Sequence, residues 1–217
     1  MAYITFKNPY PNEPEFLTPA VLKRAYGTVM DQMPERIENI SSYMREMRGY
    51  VLTPDSPLST FDELPAVLAS LGRMVPIVGD DYVPPPPGQG PNRESMLEVG
   101  IPIERPDCET VDMISDASLL WGEAFRRIYP DAQWAIGAKP KSSIDFGYPL
   151  IIGIDKFRTQ FNTRAMLYTA TCRLLLGLEN DKSISWLTNK WAYLLGFIED
   201  PYPTPISEWE KRQRGLA

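Results

Sequence analysis

The sequence predicts an α+β protein that is mainly helical, with a small antiparallel sheet of two or three strands in its C-terminal half. Three observations lead to this prediction. Through most of the chain apolar residues recur with the period of helices that bury one face. Within residues 132–154 the pattern changes to alternation, which is typical of strands. Hydrophobic residues make up 43% of the 217 residues and charged residues 23%, a balance that allows a buried core.

Prolines divide the helical pattern of the N-terminal third. Thr18 has the residue type of an N-cap, and Pro19 suits the first helical position. We expect Pro34 to break or restart this helix, because proline removes an interior hydrogen bond. A third helix is expected to start near Thr60, whose spacing from Glu63 is that of a capping box.

This third helix has a clear apolar side and two further constraints. Pro65 is compatible with the helix only in or near its first turn. Gly72 is the predicted end. The residues predicted to be buried share one helical face and are Phe61, Leu64, Val67, Leu68 and Leu71.

A run of prolines, 84–87, followed by two nearby glycines predicts a connector. Consecutive prolines favour a polyproline II rod without internal hydrogen bonds, so we interpret the segment as a semi-rigid spacer. Docking of this rod into an aromatic groove is the alternative. The predicted organisation is a helical N-terminal part at 1–80, a Pro/Gly-rich spacer at 81–93 and an α+β C-terminal module at 94–217. A spacer can run across a surface, so the two parts can still pack into one body.

The C-terminal module is predicted to run from helix to strands to helix. An apolar stripe from Val111 to Ile128 predicts the first helix, which Pro130 ends. Three stretches predict strands, namely 134–136, 144–146 and 150–154. Asn162 is the predicted N-cap of the next helix and Gly177 its end. The stretch 182–198 predicts the last helix.

Most aromatic and thiol side chains are expected to be structural. Four tryptophans lie on predicted core faces, at Trp121, Trp134, Trp186 and Trp191. Cys172 lies in an apolar helical run, where a buried thiol is expected. Cys108 and Cys172 are the two cysteines of the chain, and two cysteines in a chain of this length do not make a disulfide framework.

The chain contains no histidine, and this excludes several kinds of chemistry. Ser-His-Asp and Cys-His nucleophilic catalysis both need imidazole, as do the common zinc sites that are built on histidine. Phosphate-binding glycine loops, C-x-x-C pairs and nucleophile elbows are also missing. We therefore predict no catalytic residue, no cofactor and no metal site, and an enzyme would have to rely on carboxylates, lysine, tyrosine or a cofactor.

The charge is unevenly distributed along the chain. The net charge is −6, which argues against nucleic-acid binding as a function, because phosphates require a basic surface. Residues 93–116 carry seven acidic side chains and two arginines, whereas residues 121–175 carry four acidic and eight basic side chains. An acidic face of this kind favours a partner protein with a basic surface. The basic stretch could instead meet nucleic acid, and the simplest alternative is that these charges face each other or water.

The acidic stretch and one tail tryptophan supply the predicted partner-binding residues. The acidic candidates are Glu98, Glu104, Asp107, Glu109 and Asp112. Trp209 lies in a proline-broken tail, where it is predicted to anchor either to a partner or to its own domain.

The opening stretch, residues 1–16, has neither the apolar core nor the small-residue cleavage site of a signal peptide. The longest apolar runs are too short to span a bilayer. We therefore expect a cytoplasmic protein without a membrane partner.

The unit from Ile114 to Gly177 resembles a helix–strands–helix module of bacterial proteins of unknown function that are encoded near toxins. The shared features are a Trp-bearing strand after a helix, a Gly-x-Pro turn at 147–149 into an apolar strand, and an Asn-capped helix. The resemblance implies a cytoplasmic immunity protein that binds and neutralises a toxin, and it assigns no catalytic residue.

From the residues we predict a non-catalytic protein-binding protein, and the resemblance adds the immunity role. The first alternative is a structural subunit of a larger assembly, since proline-rich connectors and scattered tryptophans suit chains that lie across their neighbours. The second alternative is an enzyme that uses carboxylate or lysine chemistry.

Overall fold

The computed structural model describes residues 3–6, 9–10, 18–76, 104–137, 147–153, 160–177 and 183–199. Within these residues the helices are α1 (Pro19–Arg48), α2 (Pro57–Leu71), α3 (Cys108–Ile128), α4 (Thr163–Leu175) and α5 (Ser183–Leu194). The strands are β1 (Met74–Pro76), β2 (Glu104–Pro106), β3 (Gln133–Ile136), β4 (Pro149–Ile152) and β5 (Gln160–Phe161). The predicted fold class is confirmed: the chain is α+β, mainly helical, and has a three-stranded antiparallel sheet, β3-β4-β5, in its C-terminal half.

Helix α3 lies at the centre of the fold and is buried on nearly all sides. Its apolar stripe packs into the main core, where Trp121 and Phe125 are fully buried beside Phe161 of β5. Its opposite side packs through Leu119 against Leu22, Ala25 and Val29 of α1. Helices α1, α2 and α4 all contact α3. The predicted stripe on this helix is confirmed in its central part, while Val111 and Ile128 at its ends are half-buried.

The prediction that Pro34 breaks the first helix was wrong, because α1 continues through it to Arg48. An interior proline costs a helix about 3 kcal/mol. Here the Pro34 side chain is exposed, so the carbonyl that loses its partner lies toward the solvent side of the helix. Buried residues on both sides of it, from Leu22 to Met44, hold α1 in place and outweigh this cost.

The predicted start of the third helix at Thr60 was also wrong, because α2 begins one turn earlier, after Ser56. The fully buried Thr60 hydroxyl bonds the preceding loop instead, donating to the Thr53 carbonyl at 2.8 Å and accepting from its N–H at 3.2 Å. This pair of bonds ties the first turn of α2 to the loop before it. Position 65 therefore lies well past the first turn, where we had not expected a proline.

Several helix ends are where the sequence places them. The Thr18 hydroxyl accepts from the Val21 N–H at 3.3 Å, and the Asn162 side chain accepts from the Ala165 N–H at 2.9 Å. Gly72 ends α2. Gly177 follows α4 with a φ of +69°, a left-handed conformation that glycine adopts without strain.

A two-stranded sheet that the sequence analysis did not predict joins the end of the N-terminal part to the start of the C-terminal module. In it β1 pairs antiparallel with β2, with Met74 opposite Pro106. The Asp107 N–H also donates to the Arg73 carbonyl at 3.0 Å. Residues of both parts share the main core. The spacer predicted at 81–93 lies outside the described residues, so its boundaries remain a prediction.

The strands predicted near 134–136 and 150–154 correspond to β3 and β4. The strand predicted at 144–146 lies outside the described residues. Of the tryptophans, Trp121 is fully buried, whereas Trp134 and Trp191 are half-buried against the core. The side chain of Trp186 lies outside the described residues. Cys172 is half-buried, not buried as predicted, because the C-terminal turn of α4 lies near the surface.

Candidate functional site

An open pocket of about 70 Å³ lies beside α3, between the N-terminal segment, α1, β4 and the start of α4. Its apolar wall is largely aromatic and is formed by Phe6, Tyr10, Trp134 and Tyr148. Its polar lining comes from Arg36 of α1, from Asp112 and Ser115 of α3, and from Arg164 of α4. Residues from the N-terminal segment and from five helices and strands therefore meet at one concave surface.

Local structure explains why these polar groups converge. Asp112, Ser115 and Asp116 are three and four positions apart on α3, so they share one side of that helix. Arg164 lies in the first turn of α4, which the Asn162 cap fixes at this position. The register of the sheet sets Ile136 of β3 opposite Pro149 of β4, so that this edge borders the pocket.

Behind the pocket lies a buried ionic triad, which we define as Tyr3, Arg36 and Asp116. The Arg36 Nε lies 2.5 Å from Asp116 Oδ1, and the Tyr3 hydroxyl donates to Asp116 Oδ2. Asp116 is 1% exposed and Arg36 is 8% exposed. A charge as deeply buried as this carboxylate requires a paired and hydrogen-bonded partner, and the triad supplies both.

The protonation of the triad reflects its burial. Burial raises the pKa of Asp116, while the Arg36 charge and the hydrogen bonds from Tyr3 and Arg36 oppose this rise. Burial, followed by the charge of Asp116, raises the pKa of Tyr3 far above its usual range. Tyr3 is therefore a permanent donor to the carboxylate. The segment that carries it is also tied to α1, because the Asn39 side-chain amide donates to the Ile4 carbonyl at 2.9 Å.

Arg164 is positioned from two sides. Its Nε donates to Ser115 Oγ at 3.1 Å, and its guanidinium carbon lies 5.1 Å from the centroid of the Tyr148 ring. The Tyr148 ring in turn lies 4.5 Å from the ring of Tyr10, whose hydroxyl donates to the Gly147 carbonyl at 3.0 Å. These contacts build an aromatic wall with a cation against its face.

Asp112 is the acidic member of the pocket lining. It is half-buried, and burial raises the pKa of its carboxyl, while the charges of Arg36 and Arg164 lower it. Burial also raises the pKa of Tyr10, and the same two arginines oppose that rise. Both arginines line the same pocket as these two groups.

The position of the Trp134 ring in the pocket wall depends on the absence of a side chain at Gly122. A Cβ added to Gly122 of α3 would overlap the Trp134 ring at Cζ2 and Cη2. The indole Nε1 donates to Glu123 Oε1 at 2.5 Å, and the same oxygen accepts from Arg126 Nη1 at 2.7 Å. The tryptophan is therefore fixed by close packing at one end and by a charged acceptor at the other.

The predicted partner-binding residues have different fates. Glu98 and Trp209 lie outside the described residues, and Glu104 lies in β2. Asp107 is the N-cap of α3 and accepts from the Thr110 N–H at 2.8 Å. Asp112 lines the pocket, and Glu109 is exposed in the first turn of α3. Among the described candidates, the structure thus gives Asp107, Glu109 and Asp112 different surroundings.

The acidic face inferred from residues 93–116 needs one correction, because Asp116 is buried in the ionic triad and cannot face a partner. Its side chain points inward because α3 is buried on nearly all sides. Glu109 is also not surrounded by acidic groups alone. Its charge raises the pKa of Tyr43, while the charges of Arg73 and Arg48 lower the pKa of the same hydroxyl.

Sequence reasoning missed Arg36, Ser115, Arg164 and Tyr10 as site residues. A signal for the triad does exist: Arg36 falls on the stripe that contains Ile40 and Tyr43, and Asp116 lies among the buried residues of α3. Charged residues at core positions of two helices predict a buried pair. No local pattern marks Arg164 or Tyr10, because the tertiary packing alone brings them to the pocket.

Three observations complete the description of the site. Over the described ranges, no three Cys, Asp or Glu side chains lie close enough to hold a metal ion. None of the described helices has the length and apolar character needed to cross a membrane. Comparisons with protein-family models, with curated proteins and with solved structures give no match to this chain.

Proposed function

We propose that this protein acts by binding another protein and that it catalyses no reaction. The observation that supports the proposal is the residue types of the open pocket: two arginines, two tyrosines and a tryptophan line it. Tyrosine, tryptophan and arginine are the residues that dominate binding energy at protein interfaces, above all in pockets that a partner side chain fills. The pocket is small and open, which suits one inserted side chain.

The partner is proposed to carry a basic surface as well. Glu109 is exposed in the first turn of α3, the same helix that supplies Asp112 and Ser115 to the pocket. The negative charge of Glu109 would increase the association rate of a basic partner, and this increase would become smaller as salt is added. The resemblance of residues 114–177 to proteins encoded near toxins supports a toxin as that partner and an immunity role for this chain.

A charge-reversal pair tests the position of the interface. Glu109→Lys should slow association with the partner and reduce its dependence on salt, because it removes an attractive charge. Glu46→Lys is the matched control, since Glu46 is also exposed and its reversal changes the net charge equally, but it lies on α1. Equal association rates for the two variants would place the interface elsewhere.

The immunity role has a direct test. The protein should restore growth to cells that express the toxin encoded beside its gene, and the two proteins should copurify as a stoichiometric complex in native mass spectrometry. Unsuppressed toxicity would refute the immunity role. A large assembly containing only this chain would refute the proposal that it binds a different protein, and it would favour the alternative of a structural subunit.

Asp112 favours one other candidate function. A carboxyl with a raised pKa in a concave site beside two cations is a common arrangement of catalytic groups. An enzyme would turn over a small molecule and lose this activity in Asp112→Asn. Stoichiometric partner binding without turnover would separate the favoured function from this one.

A further inference from the structure

We propose that the pocket between Arg36 and Arg164 is a carboxylate-binding site, which takes a carboxylate carried on a short apolar body. The proposal concerns a ligand group, and it can be tested without knowing the partner. It rests on the proposed function only where the carboxylate belongs to a protein.

The donors that would hold the carboxylate are the Nη groups of the two arginines. Each guanidinium already uses its Nε, Arg36 on Asp116 and Arg164 on Ser115. In the described part of the chain no hydrogen bond occupies the Nη groups of either residue. Bonds at Nε fix the plane of each guanidinium, so less side-chain entropy is lost when a ligand binds. A planar guanidinium fork matches the two oxygens of a carboxylate.

The charge of the site favours a single negative charge on the ligand. Two cations, Arg36 and Arg164, are accompanied by two carboxyls, Asp116 behind the pocket and Asp112 in its wall. A phosphate dianion would bring more negative charge than this set can balance. A carboxylate brings one charge, and the half-buried Asp112 carboxyl can take up a proton and donate it to the bound oxygen.

The size and walls of the pocket favour a small apolar body behind the charge. The pocket has room for several water-sized groups, enough for a carboxylate and a short stem. Phe6, Tyr10, Trp134 and Tyr148 offer flat apolar surfaces on which a ring or a short chain can pack. The open side of the pocket leaves space for a larger ligand to extend outward.

Two sources could supply this chemistry: a free small acid, or a carboxylate of a polypeptide. Benzoate serves as the probe for a free acid, and benzamide is its neutral isostere. N-acetylphenylalanine and its C-terminal amide serve as the matched pair for a chain end. Inorganic phosphate tests whether the site accepts any anion.

The experiment is a titration followed by amide chemical shifts of the full chain. We expect benzoate to shift resonances of α3 and of the first turn of α4, and benzamide and phosphate to bind at least about 10-fold more weakly. Tighter binding of N-acetylphenylalanine than of benzoate would identify a polypeptide carboxylate as the ligand, and the reverse order would identify a free acid.

Three substitutions test the assignment of the donors. Arg164→Gln should weaken benzoate binding about 10-fold or more, because a charge-assisted pair of hydrogen bonds is lost. Asp112→Asn should tighten it about fivefold, because the wild-type carboxyl must take up a proton before it can donate to the ligand, whereas the neutral Asn side chain can donate at once. Arg173→Gln, an exposed position on the same helix, is the control and should leave binding unchanged.

The result that would overturn the proposal is equally specific. Equal binding of benzoate and benzamide, no binding of either acid, or benzoate binding unchanged in Arg164→Gln would each show that the pocket is not a carboxylate site. The titration needs no protein partner. If no partner exists, the protein-binding proposal fails, but the test of the carboxylate site still stands.

Discussion

The ionic triad and the pocket differ in how completely their polar groups are satisfied, although they share Arg36 and one side of α3. In the triad both Asp116 oxygens accept a hydrogen bond, and the carboxylate is almost completely buried. In the pocket, one turn earlier on the same helix, Asp112 is half-buried, and both Asp112 and Arg164 line an open volume. The same residue types thus occur in a closed and in an open arrangement.

This difference indicates separate roles for the two sites. A closed, fully bonded ionic network gives a protein little more stability than apolar residues would at the same positions. Removing one member is nevertheless strongly destabilising, because it leaves a buried charge without its partner. It also fixes the relative position of α1 and α3, and so holds Arg36 at the pocket. An open set of oriented donors instead contributes little until a ligand occupies it. We infer that the triad positions the site and the pocket does the binding.

The largest expected effect is on the triad side of this comparison. Asp116→Asn should lower the free energy of unfolding by about 3 kcal/mol or more, because the Arg36 charge loses its buried counter-ion. Urea unfolding measures the change. Asp112→Asn makes the same chemical change one turn away and should not destabilise the protein at neutral pH. Equal losses in the two variants would remove the distinction between the sites.

A smaller effect is expected at the pocket wall. Gly122→Ala should lower the free energy of unfolding by about 1–3 kcal/mol, because the added methyl group overlaps the ring of Trp134 and forces it to move. Gly27→Ala is the matched control, since a Cβ there meets no atom within 4 Å and alanine favours the helix. We expect the control to be more stable than wild type. A tolerated Gly122→Ala would mean that Trp134 is not tightly fixed.

The smallest effect concerns the pH dependence of stability. Burial raises the folded-state pKa of Asp112 above its unfolded value, so the folded state keeps this proton to a higher pH. The wild-type protein therefore loses stability through this group as pH rises from about 4 through the folded pKa. Asp112→Asn should be more stable than wild type at pH 7, with a smaller difference at pH 4. Thermal unfolding at both pH values provides the measurement, and a difference independent of pH would contradict this explanation.

The sequence predicted what depends on local interactions. The caps at Thr18 and Asn162 and the end of α2 at Gly72 were predicted because each depends on a few neighbouring residues. The uninterrupted α1 was not predicted, because packing against α3 outweighs the cost of Pro34. The start of α2 was placed one turn late, because Thr60 bonds a loop residue instead of capping the helix.

Interactions between distant residues could not be located in the same way. The pairing of β1 with β2 joins residues about 30 positions apart, and nothing in either short strand specifies its partner. The triad joins residues 3, 36 and 116, and only the occurrence of charges on two apolar stripes pointed to it. The pocket needed the complete tertiary arrangement, since α4 and the N-terminal segment reach it from opposite ends of the chain.

The measurement that tests the separation of the two sites most directly combines binding and stability in one variant. Arg164→Gln should weaken benzoate binding about 10-fold or more, while its free energy of unfolding stays within about 1 kcal/mol of wild type. That result would show that the open cation binds and is not needed for folding. A variant that binds benzoate as wild type does, but unfolds as easily as Asp116→Asn, would contradict the account, because Arg164 would then belong to the structural network.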